Sequence, residues 1–171
     1  LKFSSHRDFQ RAFERAVRRV GVPMAYSAGF NPHPKISYAN AASTGTASEA
    51  EYVEIGLAKV VDVDALVKAL KGSMPPGLDI EEAVTASTPD FVARLEASVW
   101  RLVVPGHTVA TLARPIDSFL NKSEVMVSRM TKNGLRTFDA RSAVVNLTTV
   151  GDEMTESGLD CAILRLVLRH S

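Results

Sequence analysis

Residues 5–20 read SHRDFQRAFERAVRRV, and this stretch decides how the first part of the chain folds. Ser5 followed three residues later by Asp8 fits a capping box, in which the two residues satisfy each other's free backbone N–H groups at a helix start. Gly21 and Pro23 follow, and both residue types stop helices. We therefore predict one helix over this stretch.

The predicted helix has two unlike faces. At about 100° per residue, its large apolar side chains fall on one side and most of its arginines on the other. The apolar face is formed by Phe9, Phe13, Ala16, Val17 and Val20. The opposite face carries Arg7, Arg11, Arg15 and Arg18. We expect the apolar face to pack on a sheet and the arginines, with His6 beside them, to point outward.

Short strands and a second helix complete this half of the chain. The helix is predicted between Asp62 and Gly72, over Val63–Leu70, and Glu51–Leu57 alternates as a half-buried strand does. The other strands are predicted at Leu1–Ser4, Met24–Ser27, Ile36–Tyr38 and Leu78–Val84. Apart from one additional short strand, this is the order β, α, β, β, α, β of a ferredoxin-like sandwich.

The same order begins again near Ala97. The second set of predicted elements is strand Val99–Val104, helix Val109–Leu120, strand Val125–Met130, a turn at Lys132–Gly134, and strands Ala143–Val150 and Leu159–Arg169. We predict an α+β chain of tandem ferredoxin-like units, residues 1–88 and 89–171. The second unit lacks a helix and a strand, so it is either a half-unit or a unit whose end is missing from the chain.

The composition is that of a globular protein, with 46% apolar and 23% charged residues among 171. Cys161 is the only cysteine, which excludes disulfides and iron–sulfur clusters held by this chain alone, and its apolar surroundings predict a buried, inert thiol. The histidines show no metal-ligand spacing. We predict no metal and no cofactor.

Membrane and export signals are not found in the sequence. No apolar run approaches the roughly 18 residues that a membrane span requires, and the first residues contain no secretory core. We expect a cytoplasmic protein that does not associate with membranes.

Charge is distributed unevenly along the chain. Residues 1–38 contain seven Lys or Arg and two acids, residues 39–100 contain four and ten, and residues 101–171 contain nine and seven. The net charges of these blocks are therefore +5, −6 and +2. This segregation favours a surface suited to an anionic partner.

The loop SAGFNPHPK, residues 27–35, is the strongest local feature. Two prolines bracket His33 and hold it in an extended, stiff loop, and Lys35 follows. The pair is suited to binding a phosphate, His33 is a candidate for proton transfer, and a structural turn is the third interpretation.

Two further groups of basic residues point to nucleic acid. The arginine face of the first helix repeats at about 5.4 Å per turn, on the scale of the phosphate spacing in a single strand. A basic hairpin is expected to add Arg129, Lys132, Arg136 and Arg141 around Asn133-Gly134. For the arginine face, docking of an acidic protein and simple solvation are the alternatives. For the hairpin, the alternative is a solvated β-turn. We expect the positive side chains of both halves to meet in one groove.

The residues of the first half resemble a known family. Ser5–Phe9, Arg15–Arg19, Tyr26–Ser37 and Ser48–Tyr52 are similar to the radical-SAM-linked bacterial family of unknown function, whose members occur alone or fused behind a radical-SAM domain. A second matching patch is Met130–Asp139. The resemblance implies a bacterial cytosolic protein linked to RNA modification or translation. Without cluster cysteines, this chain would be the companion module.

A weaker similarity is to CRISPR repeat-processing endoribonucleases, which pair two ferredoxin-like units and can use a histidine in RNA cleavage. The glycine-rich loop of those enzymes is not evident near the end of this chain. The common nucleotide, hydrolase and metalloprotease motifs are also absent.

Together these observations predict a non-catalytic RNA-binding accessory module. Two alternatives remain open. One is a metal-independent endoribonuclease that uses His33 or His6 as general acid or base. The other is a protein adaptor for a radical-SAM enzyme or a ribonuclease.

Overall fold

The structure is a computed structural model that describes residues 5–39, 42–43 and 45–170. The chain divides into two compact units, Leu1–Val92 and Ala93–Ser171. Residues 81–90, which precede this division, are exposed throughout, and the boundary predicted between residues 88 and 89 lies within them. The strand predicted at Leu1–Ser4 lies outside the described residues.

Helix α1 spans His6–Val20, as predicted. The Ser5 hydroxyl accepts a hydrogen bond from the backbone N–H of Asp8, and the Asp8 carboxylate accepts one from the backbone N–H of Ser5. At the other end, Gly21 adopts a left-handed conformation with φ of 71°, where a side chain would be strained. The capping box and the glycine stop are therefore both confirmed.

The core of the first unit lies between α1, a two-stranded antiparallel sheet and a second helix. Strand β1 is Ile36–Ala39, strand β2 is Tyr52–Ile55 and helix α2 is Val63–Lys71, capped by Asp62. The buried side chains of this core are Phe13, Ala16, Val17, Met24 and Leu70. Full burial of a side chain as large as Val or Phe stabilises the folded state by roughly 1.5–3 kcal/mol. Since Phe13, Ala16 and Val17 lie on α1, the apolar face of α1 stabilises this unit.

Residues 24–27 form isolated bridges and no regular strand. Met24 pairs with Leu57 and Tyr26 with Pro34, both antiparallel. The segment thus contacts both the β2 side and the start of β1, which fixes the loop between Tyr26 and Pro34 at its two ends.

The strand predicted at Leu78–Val84 does not form. These residues have no regular structure, and only Leu78 and Ile80 are partly shielded from solvent. The apolar pattern reflects packing of Ile80 against the core of the unit. The described part of the first unit is therefore mixed α and β, and a ferredoxin-like arrangement stays a prediction.

The second unit is built on a three-stranded antiparallel sheet. A short 3₁₀ turn, Val92–Arg94, spans the division between the units. The elements that follow are β3 Ala97–Pro105, α3 Val109–Leu120, β4 Met126–Thr131, β5 Gly134–Asp139, α4 Ala140–Ala143, β6 Val144–Met154 and β7 Asp160–Arg169. The sheet has the order β3-β7-β6, and β4 and β5 form a separate hairpin. Helix α3 begins and ends where predicted, with Thr108 as its cap.

The central strand β7 supplies the most buried side chains of the second unit. Cys161, Ala162, Ile163 and Leu164 are all buried, with Cys161 only 1% exposed. The prediction of a buried thiol is confirmed. Among the described residues, no helix is long and apolar enough to cross a membrane.

Candidate nucleic-acid interface

The arginine face of α1, defined by Arg7, Arg11, Arg15 and Arg18, lies in solvent. All four residues are exposed, whereas Phe9 and Phe13 on the opposite face are buried. At 1.5 Å per residue the face is about 16 Å long. The helix therefore presents a row of guanidinium groups on a rigid, capped element.

Few acids neutralise this face. Arg18 lies 3.8 Å from the Glu14 carboxylate in an exposed i,i+4 pair, which contributes little to stability. No described residue forms an ion pair with Arg7, Arg11 or Arg15. Hydrogen bonds from Ser5 lower the pKa of Asp8, and the charges of Arg11 and Arg15 lower it further.

A cleft of about 320 Å³ lies beside the loop that contains His33. Its lining residues are Ser27, His33, Pro34, Lys35, Ile36, Ser37, Glu54 and Gly56. The cleft thus combines a histidine, an ammonium group, two hydroxyl groups and a carboxylate. Its volume is at the lower end of the range for small-molecule sites.

Three chain segments meet below this cleft and fix its floor. Lys35 N–H donates to the Ala25 carbonyl, Ala25 N–H donates to the Gly56 carbonyl, and Gly56 N–H donates to the Lys35 carbonyl, each at 2.8 Å. The loop is closed by Ser27 N–H on the His33 carbonyl, 2.8 Å, and by His33 N–H on the Ser27 hydroxyl, 3.0 Å. His33 is therefore positioned by backbone contacts.

The arginine face and the cleft lie on opposite sides of the first unit. Ile36 and Tyr38 of β1 pack toward the core beneath α1. Since side chains alternate along a strand, Lys35 and Ser37 point to the other face of the sheet. The structure does not bring His33 and Lys35 together with the α1 arginines, so these two sets do not share one groove. A groove formed by basic residues of both halves stays a prediction.

His6 packs on the inner side of α1. Its ring makes an edge contact with Tyr38, with centroids 5.6 Å apart, and its Nε2 lies 2.9 Å from the Gln10 amide nitrogen. His6 is therefore not part of the arginine face, contrary to the expectation from sequence. Its helical position, 100° before Arg7, explains this difference.

Phe30 stands at the tip of the loop between Gly29 and Asn31. Its relative exposure is 106%, and Tyr26 at the base of the loop is 56% exposed. Aromatic rings offered to solvent in this way can stack on unpaired bases. Phe30 was not among the site residues predicted from the sequence, although its place between the turn residues Gly29 and Asn31 was the available signal.

The β4–β5 hairpin concentrates positive charge. Arg129 and Arg136 are directly opposite each other in the register, an arrangement that is unfavourable for like charges unless an anion lies between them. The Arg129 guanidinium lies 5.6 Å from the centre of the Phe138 ring. Lys132 is exposed in the turn between Thr131 and Gly134.

Arg141 differs from the other basic residues of the hairpin region. Its guanidinium donates to the carbonyls of Leu120, 3.2 Å, and Val144, 2.9 Å. It is half-buried and ties the ends of α3 and α4 together. We therefore leave Arg141 out of the candidate interface.

The Asp139 carboxylate accepts hydrogen bonds from backbone N–H groups and not from the Arg141 guanidinium. Its carboxylate accepts hydrogen bonds from the N–H groups of Val125, Arg141 and Ser142 at 2.8, 2.9 and 3.1 Å. The hydrogen bond from Val125, followed by those from Arg141 and Ser142, lowers the pKa of Asp139. Asp139 is thus the structural anchor of the second basic region.

The described part of the chain contains no cluster of side chains suited to binding a metal ion. Within it, no group of three or more His, Cys, Asp or Glu side chains could hold a metal ion. The cleft contains one histidine and one carboxylate, which is too few donors for a structural metal site.

The chain matches a family conserved in bacteria over residues 1–171, and it belongs to that family. The family is described as "Uncharacterized protein conserved in bacteria (DUF2344)". Searches of the curated proteins and of the solved structures found no match. Membership in a bacterial family of unknown function is confirmed, and the link to radical-SAM enzymes stays a prediction.

Proposed function

We propose that this protein is a non-catalytic RNA-binding accessory module, and that it binds single-stranded RNA along the arginine face of α1. The observation that carries the proposal is the row of four exposed guanidiniums, of which three form no ion pair with a described residue. Arginine is suited to phosphate because its planar fork forms two hydrogen bonds at once.

Two other features support RNA over an acidic protein. Phe30 offers a fully exposed ring, which favours unpaired bases. The opposed Arg129 and Arg136 form a second anion-attracting surface, and Lys132 stands at the tip of that hairpin. A single strand is flexible enough to follow separate basic surfaces, so the proposal does not require one continuous groove.

A salt titration tests this function. Fluorescence anisotropy of a labelled single-stranded RNA is measured at increasing salt, because each phosphate contact releases counterions and steepens the loss of affinity. A steep, linear fall of log affinity with log salt is expected. Salt-independent binding, or no binding to total cellular RNA, would contradict the proposal.

A metal-independent endoribonuclease is the second candidate. It is favoured by one observation, that His33 and Glu54 line the same cleft and could act as an acid–base pair. The test is to incubate RNA with the protein in EDTA and look for new ends. Cleavage that disappears in His33→Ala while RNA binding remains would establish this function in place of ours.

Three finer points of the sequence analysis are also proposals. We propose a cytoplasmic protein that acts beside a radical-SAM enzyme or a ribonuclease, supported by the resemblance of Tyr26–Ser37. Co-purification of such an enzyme after nuclease treatment would favour the adaptor role, whereas RNA-dependent recovery favours RNA binding. We also propose that the chain consists of tandem ferredoxin-like units, the second either complete or incomplete, which the strand order of each unit in an experimental structure would test.

A further inference from the structure

The cleft beside His33 contains polar groups that the rest of the described structure leaves without partners. No described residue forms an ion pair or a side-chain hydrogen bond with Lys35 or Glu54. Ser27 uses its hydroxyl to hold the His33 backbone. The cleft is therefore a preformed cavity whose charged side chains remain available to a ligand.

The positive and the negative side chain of the cleft occupy different positions along the β1–β2 sheet. Ser37 and Glu54 are opposite each other in the β1–β2 register, and Lys35 lies over Gly56, one pair beyond on the same face of the sheet. Residues two positions apart on a strand are separated by about 6.6 Å. Lys35 and Glu54 therefore project from the same face of the sheet, and their positions along it differ by roughly the length of one nucleotide.

Gly56 keeps this cavity open. A Cβ at residue 56 would lie 2.9 Å from the Lys35 Cβ and 3.4 Å from its Cδ. The Lys35 stem therefore lies close over the glycine backbone. A side chain at residue 56 would displace that stem.

We propose that this cleft binds one ribonucleotide, with its phosphate on Lys35 and His33 and its ribose hydroxyls on Glu54 and Ser37. Lys35 and His33 offer donors to the phosphate. Glu54 accepts hydrogen bonds from hydroxyl groups, and an acceptor for the 2′-hydroxyl is a means of distinguishing RNA from DNA. Because the cleft faces away from the arginine face, the site does not depend on RNA binding by α1.

The test is an NMR titration of the full chain with adenosine 5′-monophosphate, 2′-deoxyadenosine 5′-monophosphate and adenosine. We expect shifts confined to the backbone amides around Lys35, Ser37, Glu54 and Gly56. The deoxynucleotide should bind about tenfold more weakly, the loss of one hydrogen bond to a charged group. Adenosine, which lacks the phosphate, should bind at least about tenfold more weakly too.

Three variants locate the contacts. Lys35→Gln should weaken the binding of the monophosphate about tenfold or more. Glu54→Ala, which removes the acceptor, should abolish the preference for the ribose form. Arg11→Gln, on the other side of the unit, should bind the monophosphate as the parent protein does. A 5′-phosphorylated tetraribonucleotide that binds more tightly than the monophosphate would identify the ligand as an RNA end. Equal affinities of the tetraribonucleotide and the monophosphate would identify the ligand as a free nucleotide.

Some outcomes would overturn the assignment. They are equal affinities for the ribose and deoxyribose forms, unchanged binding in Lys35→Gln, or no saturable binding at millimolar nucleotide. Failure of the arginine-face proposal looks different, since the protein would then bind the mononucleotide but show no salt-dependent binding of long RNA.

Discussion

Lys35 lies directly over Gly56, with no room for a side chain between them. This contact joins the start of β1 to the end of β2 and forms one wall of the cleft. It shows why a glycine is required at this position although its backbone conformation is not left-handed: the requirement is space.

Gly56→Ala is therefore expected to destabilise the protein by about 1–3 kcal/mol, the usual cost of forcing extra volume into a filled space. The same change should reduce mononucleotide binding because the Lys35 stem is displaced. Urea denaturation measures the first effect and NMR titration the second.

Gly72→Ala is the matched control for that substitution. Gly72 ends α2 with φ of −70°, and an added Cβ would meet only backbone oxygens at 3.7 and 3.8 Å. Stability should stay equal or rise slightly. A similar loss of stability in both variants would show that the close contact at Lys35 is not the cause.

The raised pKa of Tyr38 leads us to expect a loss of folding stability at high pH. Burial raises the pKa of Tyr38 to about 12, and the negative charge of Glu14 contributes. Its ordinary value is 10.0, so above pH 10 the unfolded chain loses this proton while the folded chain retains it. Stability is therefore present below pH 10 and falls as pH rises towards 12.

Tyr38→Phe should remove this alkaline loss. The Tyr38 hydroxyl is buried without a hydrogen-bond partner among the described residues, so its removal should leave stability at pH 7 unchanged or raised. Urea denaturation at pH 7 and at pH 11 measures both effects. Tyr26→Phe, at an exposed ring, is the control, and an unaltered alkaline loss in Tyr38→Phe would refute the assignment.

The lowered pKa of Asp139 leads us to expect that the stability of the second unit falls at low pH. Its pKa is lowered from 3.8 by hydrogen bonds from Val125, Arg141 and Ser142. The stability that it contributes is present above pH 3.8 and is lost as pH falls through the lowered pKa. Asp139→Ala should lower Tm by several degrees at pH 7 and reduce the further loss on acidification.

Asp117→Asn is the control for the acid effect. Asp117 is exposed on α3, and no hydrogen bond or ion pair of its carboxylate with a described residue is present. Its Tm should match that of the parent protein at both pH values. Equal melting curves for Asp139→Ala and the parent would contradict the role of Asp139 as an anchor.

Phe30→Ala should weaken binding of single-stranded RNA and leave Tm unchanged. Stacking of one base on an aromatic ring contributes about 1–3 kcal/mol by alanine substitution, whereas a ring that is 106% exposed contributes no burial to stability. Val60→Ala, at a 99% exposed position, is the control. Equal RNA affinity of Phe30→Ala and the parent would exclude a stacking role.

The sequence predicted the helices well because local signals set their ends. Ser5, Gly21, Asp62, Gly72 and the stretch before Val109 act within one turn of the chain, and no distant contact overrides them. The strands were harder to predict from the sequence, because strand pairing joins residues that are far apart along the chain. Ile80 has the pattern of a strand residue, but among the described residues it has no strand partner and it packs on the core.

The candidate site was predictable in part for the same reason. His33 and Lys35 stood out through the stiff proline loop. Glu54 and Ser37 join them only through the antiparallel register of β1 and β2, which the sequence does not reveal. The separation of the cleft from the α1 arginines likewise depends on which face of β1 packs under the helix.

The most direct measurement of the central claim compares the salt dependence of RNA binding between the parent and Arg7→Gln/Arg11→Gln/Arg15→Gln/Arg18→Gln. For single strands each phosphate contact contributes about 0.7 to the slope of log affinity against log salt, so losing four contacts should reduce the slope by about 3. Arg114→Gln, exposed on α3, is the control with an unchanged slope. Equal slopes for the parent and the fourfold variant would contradict RNA binding by the arginine face.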